Sequence, residues 1–155
     1  MKDINVETII KTETPKAVVI RKVQIDKLGR AYATGKRKNS IARVWLKKGT
    51  GKVVINDIEA PKYLKRAILV TIMNQPFEVT GMEGVYDITA TVKGGGLSGQ
   101  AGAVRHGIAV ALQRFNPSER DTLKKAGLLT RDPRVVERKK PGRKKARKGR
   151  TYKKR

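Results

Sequence analysis

The sequence predicts an α+β fold in which one domain continues into a basic C-terminal arm. Its 155 residues fit one domain with appendages. Between residues 30 and 93, apolar and polar side chains alternate in several short runs, as half-buried strands do. Residues 97–115 instead repeat their apolar side chains every three or four positions, which is the period of a helix. The predicted order is three strands, a helix, a strand and two helices.

The strands follow from alternation and from turn residues. In the second strand, Ala42, Val44 and Leu46 alternate with side chains of the opposite face, and the turn that follows contains two glycines. The fourth strand alternates over its whole length and ends at three consecutive glycines. The predicted strands are residues 31–36, 41–47, 52–56 and 84–93.

Three helices are predicted. The first covers residues 61–74 and is expected to end before Pro76. The second carries an apolar stripe of Leu97, Ala101, Val104, Ile108, Leu112 and Phe115. The third begins at Asn116, where Asn caps, Pro fits the first turn and Glu119 completes a capping box; Gly127 is expected to end it.

Charge is the strongest functional signal. The net charge is +24, and half of it lies in residues 131–155, which hold fourteen Lys or Arg against two acids. Such a segment has too few apolar side chains to fold alone, so its use lies in a polyanion, above all nucleic acid. There is no cysteine, which excludes disulfides and thiolate metal sites. The absence of a membrane-length apolar run and of a secretory or transit segment leads us to expect a cytoplasmic protein.

Other candidate sites admit two interpretations each. The glycine run before the second helix could contact phosphate through backbone N–H groups, or it could permit tight strand-to-helix packing. Trp45 could stack on a base, or it could cover a helix or the N-terminal extension. His106 is the only histidine, which favours a structural or RNA-facing role over catalysis. A bound arm without a recognition helix favours folded RNA over DNA.

Three segments carry a family resemblance. They are YATGKRKNSIARV at residues 32–44, GGGLSGQAGAVRHGI at residues 94–108, and LLTRDPR at residues 128–134, which VERKKPG and a basic terminus follow. Together they resemble the universal ribosomal protein S9 family of the small subunit, in its bacterial and organellar type. The resemblance covers about residues 30–155.

The resemblance implies a fold and a function. The family fold is a four-stranded mixed sheet with helices on one face and a left-handed βαβ crossover, of the ribosomal protein S5 domain 2-like type. The implied function is a structural constituent of the small-subunit head that binds ribosomal RNA. The family's tail reaches the anticodon stem-loop of P-site tRNA, a contact that falls here on Tyr152, Lys153, Lys154 and Arg155. Many bacterial members have Ser where this chain has Lys153.

The resulting prediction is a non-catalytic RNA-binding protein in three parts. They are an N-terminal extension at residues 1–29, disordered or docked, a globular domain at 30–130, and a tail at 131–155. The expected partners are small-subunit ribosomal RNA, P-site tRNA and neighbouring proteins of the head, with no cofactor, metal, membrane or homo-oligomer. A DNA-compacting protein and a small-molecule kinase with the same crossover are the alternatives. The predicted ribosomal RNA contacts are Lys36, Arg37, Lys38, Arg43, Gly94, Gly95, Gly96, Gln100, Arg105, Arg131, Arg134, Arg138, Lys139, Lys140, Arg143, Lys144, Lys145, Arg147, Lys148 and Arg150.

Overall fold

The structure is a computed structural model that describes residues 23–151. One mixed sheet of five strands forms its body, in the order β1-β2-β5-β3-β4. β3 and β5 are parallel, and the other neighbouring pairs are antiparallel. In chain order the elements are β1 (Ala31–Arg37), β2 (Ser40–Lys48), β3 (Val53–Ile55), β4 (Ile58–Glu59), α1 (Ala60–Leu64), α2 (Ala67–Thr80), β5 (Tyr86–Lys93), α3 (Leu97–Phe115) and α4 (Arg120–Lys125).

The sheet has a buried inner face and an exposed outer face. On β1, β2 and β5, alternate side chains such as Ala33, Val44 and Ile88 are buried on the inner face, where α3 packs. The outer face carries the residues between them. This one-sided burial confirms the α+β class with helices on one face that the sequence predicts.

The sheet has one strand more than the family resemblance implies. The backbone turns at Asn56 and Asp57, which both have positive φ (48° and 64°). Two such residues in succession form the tight turn that favours a hairpin. Ile58 and Glu59 therefore pair back on β3 as the two-residue edge strand β4. The parallel pair β3 and β5 is joined through β4, α1 and α2, which is the βαβ unit that the resemblance implies.

The predicted helix at residues 61–74 is wrong in two respects. It is two helices, because Lys65 adopts a left-handed conformation (φ 58°) and its N–H bonds back to the carbonyl of Pro61, which ends α1. The second helix, α2, also continues past Pro76 to Thr80. The buried Pro76 ring packs into the core, and the Thr80 hydroxyl donates to the Pro76 carbonyl at 2.9 Å.

The stripe of the long helix is confirmed over α3, with one exception. Leu97, its first member, is exposed, whereas the buried face also includes Gly99, Gly102 and Gly107. These glycines let the helix axis approach the sheet closely. A Cβ on Gly35 of β1 would overlap backbone atoms of Ala103 and Gly107.

The capping box at Asn116 does not form. Asn116 makes no side-chain bond to the backbone of the following turn; its side-chain oxygen instead accepts from the Ser118 hydroxyl at 3.0 Å. A short 3₁₀ turn, Pro117–Glu119, lies between Asn116 and α4. Gly127, in a left-handed conformation (φ 70°), follows α4 as predicted.

Candidate nucleic-acid interface

The β1–β2 hairpin and the glycine turn meet at one end of the sheet. The Ser40 hydroxyl donates to the Gly94 carbonyl at 3.1 Å, which joins the two loops. Lys36 on β1 and Lys93 on β5 both lie opposite Ile41 of β2 in the strand register. We call this group, Lys36, Arg37, Lys38, Lys93 and residues 94–96, the basic end.

Backbone conformation and close neighbours both restrict the first two positions of the turn, Gly94 and Gly95, to glycine. Gly94 and Gly95 both have positive φ (75° and 64°), a conformation that side chains rarely adopt. A Cβ on Gly94 would also lie 2.6 Å from the carbonyl oxygen of Asn39, and one on Gly95 would overlap the Ser40 hydroxyl. Gly96 meets neither constraint, since a Cβ there would have nothing within 4 Å.

Gln100 belongs to an internal network behind that turn. It accepts from the Tyr63 hydroxyl at 2.9 Å and donates to the Gly94 carbonyl at 3.2 Å. Asn56 extends the network by bonding both the N–H and the carbonyl of Val92, at 2.8 and 3.1 Å. The predicted contact residue Gln100 thus holds β5, α1 and α3 around the glycine turn.

Two of the predicted arginines are partly buried: Arg37 of β1, which packs against α3, and Arg105 of α3 itself. Arg37 lies across Gly102, where a Cβ would overlap its side chain, and it forms an ion pair with Asp132 at 3.7 Å. Arg105 donates to the Gln75 side chain at 2.8 Å. Burial, and then the neighbouring charge of Arg37, lower the pKa of Arg105.

His106 connects the first strand to the start of the tail. Its Nδ1 accepts from the Lys36 N–H at 3.3 Å, and the backbone of Leu129, just before the tail, is close enough to the ring to affect its pKa. Burial lowers the pKa of His106, so the neutral ring is favoured. A neutral imidazole has one nitrogen that can accept, as the bond from the Lys36 N–H requires.

The tail begins beside the basic end. Asp132 pairs with Arg37 of the body and with Arg134 of the tail. The hydrogen bond that the Arg134 side chain donates is the main reason why the pKa of Asp132 lies well below its usual range. Beyond α4 the described chain contains no further helix or strand. Most tail cations are exposed, and Arg147 pairs with Glu137. The four predicted tRNA contacts at residues 152–155 lie outside the described residues.

The outer face carries the remaining predicted contact, Arg43. Its guanidinium lies 5.6 Å from the ring centre of Tyr32 and 5.2 Å from that of Trp45. Its Nε also donates to the Tyr32 hydroxyl at 3.2 Å. The only acidic residue on β1, β2 and β5 is Asp87, which lies opposite Lys47 of β2. Its carboxylate accepts from the backbone N–H groups of Thr50 and Lys52 at 2.8 and 2.9 Å.

The family model of ribosomal protein S9/S16 matches residues 35–155. The chain belongs to the ribosomal protein S9/S16 family. It is therefore a small-subunit ribosomal protein that binds ribosomal RNA and associates with other ribosomal proteins, and its family is structural rather than enzymatic. The resemblance carried by the three sequence segments is confirmed.

Two features of residues 23–151 bear on membrane-spanning and metal-binding functions. No helix between residues 23 and 151 has the length and apolar character needed to cross a membrane. Over the same residues, no three His, Cys, Asp or Glu side chains are grouped as metal ligands.

The structure brings together the predicted contacts of the hairpin, the glycine turn and the start of the tail. Arg43 lies on the outer face, two residues along β2 from Ile41, which lies opposite Lys36 and Lys93. Sequence reasoning missed the partners of three predicted contacts: Asp132 pairs with Arg37, Gln75 accepts from Arg105, and Tyr63 donates to Gln100. Asp132 was detectable as one of only two acids in the basic tail, and the other two carry no local signal.

Proposed function

We propose that the S9/S16-family chain docks on ribosomal RNA of the subunit head through the basic end and guides its tail along that RNA towards P-site tRNA. One observation carries this proposal: the tail begins at the basic end. Asp132 contacts Arg37, and His106 accepts from the Lys36 N–H and lies close to the Leu129 backbone. The cations of the body and of the tail therefore form one continuous basic track.

The track is suited to phosphates. Among residues 23–151, Lys36, Lys38 and Lys93 form no ion pair, and Lys36 and Lys38 are exposed. Lysines and arginines placed along an RNA backbone release its condensed counterions, which favours binding and opposes the loss of chain entropy in the tail. The remaining predicted contacts, from Arg131 to Arg150, extend the same track.

The tail is long enough to leave the body. The twenty residues after Arg131 reach at most roughly 70 Å when fully extended, whereas a domain of about 100 residues has a radius of gyration of about 13 Å. The terminal residues Tyr152–Arg155 are proposed to meet the anticodon stem-loop, as the family resemblance implies. There Arg155 can bind a phosphate with two parallel hydrogen bonds.

The test is a deletion of residues 153–155. Subunits that contain the shortened chain are expected to assemble, because the basic end and most of the track remain. Their affinity for P-site tRNA is expected to fall by about 10-fold or more, since hydrogen bonds to charged groups contribute about 1.5–3 kcal/mol each. Affinity is measured by filter binding of labelled tRNA to purified, messenger-programmed subunits.

A control variant removes three cations elsewhere. Lys62, Lys124 and Lys125 are exposed on α1 and α4 and lie outside the tail sequence. Replacing all three with Gln lowers the net charge as much as the deletion does, and it should leave tRNA affinity unchanged. Equal tRNA affinity in wild-type and shortened subunits would contradict the role of the tail end.

A further inference from the structure

The outer face of the sheet presents two aromatic rings and a guanidinium side by side. Tyr32 and Trp45 lie opposite each other in the β1–β2 register, with ring centres 5.3 Å apart and planes tilted by 44°. Arg43 lies over both rings. We propose that this group, Tyr32, Arg43 and Trp45, is a stacking site for an unpaired RNA base. The proposal rests on the binding of ribosomal RNA and names a site for it.

The three side chains are accessible. Arg43 is exposed and both rings are half-buried, and their outer-face neighbours Thr34 and Thr89 are short and exposed. No helix between residues 23 and 151 covers this face, because the inner-face residues of the same strands are the buried ones. A planar ligand can therefore reach the aromatic rings and the guanidinium without moving an element.

The charge of the face favours RNA over a protein segment. Arg43 is flanked along the sheet by the exposed Lys36, Lys47 and Lys93. The carboxylate of Asp87 is directed to loop N–H groups, which lower its pKa and engage its charge. Ile41 is the only large apolar side chain of β1, β2 and β5 on this face that is strongly exposed, so the face offers little apolar area to a protein partner.

The geometry also favours a single strand over a duplex. Trp45 lies opposite Thr89, and Lys93 is four residues further along β5, about 13 Å away at the usual rise of a strand. A base stacked on Trp45 can therefore place a neighbouring phosphate near Lys93 or Lys36. Inside a duplex both faces of a base are stacked on its neighbours, so away from the helix ends only an unstacked base, as in RNA loops and bulges, can present its flat surface to the ring.

The chain contains one tryptophan, so its fluorescence reports on this site alone. The full chain is titrated with a transcript of the head domain of small-subunit ribosomal RNA and, separately, with a fully paired RNA duplex of equal length. Filter binding measures the affinity in parallel. The transcript is expected to quench Trp45, whereas the duplex is expected to bind the basic tail and leave the emission unchanged.

Two pairs of variants test the contribution of the site. Trp45→Phe keeps a stacking ring and should keep the affinity, whereas Trp45→Leu should weaken transcript binding by roughly 5- to 150-fold. Arg43→Lys keeps the charge but loses the planar group, so it should weaken transcript binding and not duplex binding. Ile68→Ala, which changes an exposed apolar residue on α2, is the control and should change neither. Circular dichroism verifies that each variant folds.

Three results would overturn the proposal. One is tight transcript binding with unchanged Trp45 emission, together with equal affinities for Trp45→Leu and Trp45→Phe. Another is a Trp45 emission that the transcript leaves unchanged but that changes when other head proteins are added. That result would assign the outer face to a protein partner. If the wild-type chain does not bind the transcript, the ribosomal RNA docking itself fails, and that result is distinct from binding without quenching.

Discussion

Gly35→Ala is expected to unfold or strongly destabilise the body, because Gly35 is where β1 meets α3. A Cβ at this position would overlap the carbonyl of Ala103 and the N–H of Gly107, and the third neighbour, the Gly107 Cα, lies only 2.9 Å away. All three atoms are backbone, so no side-chain rotation can relieve the overlap. Either the strand or the helix must move.

The size of the effect follows from that rigidity. Overpacking against side chains that can shift costs about 1–3 kcal/mol, so a collision with backbone on both sides should cost at least about 3 kcal/mol. At roughly 4 °C per kcal/mol for a domain of this size, the unfolding midpoint should fall by about 12 °C or more. Thermal and urea unfolding of the full chain, followed by circular dichroism, measure both quantities.

Gly96→Ala is the matched control. It makes the same change in the turn before α3, where φ is −118° and a Cβ has free space. Its stability should stay within about 1 kcal/mol of wild type, because the lower entropy of the unfolded chain opposes the poorer capping by Ala. A Gly35→Ala protein that unfolds at the wild-type midpoint would refute the steric reasoning.

Two further predictions concern the start of the tail. The folded-state pKa of His106 is below its unfolded value, so the neutral ring stabilises the fold fully above about pH 6.5 and less as the pH falls below 6.5. The urea midpoint of unfolding should therefore drop between pH 7.5 and 5.5. The variant His106→Gln contains no histidine and should lose most of that drop. Asp132→Asn removes the acid that engages Arg37 and a tail arginine, so the slope of log affinity for RNA against log salt should steepen by about one to two. Asp121→Asn on α4 should leave that slope unchanged, and an unchanged slope for Asp132→Asn would contradict competition between Asp132 and RNA.

Much of the fold is predictable because its signals are local. Alternation identifies β2 and β5, and the apolar period identifies α3, since each pattern repeats over eight or more residues. The break at Lys65 is not predictable in this way, because neither Gly nor Pro marks it and the left-handed turn depends on how α1 and α2 pack. The position of Pro76 inside α2 also depends on packing, because its ring is buried in the core. The rule that a helix ends before proline uses the local sequence only and does not include such burial.

The candidate site, too, is predictable only where its signals are local. Composition alone indicates a polyanion partner and the tail that binds it. It does not reveal that Arg37 pairs with Asp132, 95 positions further along the chain, or that Gln100 faces inwards to Tyr63. Those contacts depend on which surfaces the fold brings together, and sequence spacing carries no record of them.

The contacts of α3 with β1 also matter before the protein joins a ribosome. Among residues 23–151, β1 is an edge strand of the sheet, and a bare strand edge is a template on which another chain can add a strand and start aggregation. Arg114 donates to the Tyr32 carbonyl at 2.6 Å, and His106 accepts from the Lys36 N–H, so two backbone groups of that edge are already occupied. Side chains of α3 thus also protect part of the β1 edge, which helps to prevent newly made, unassembled chains from aggregating.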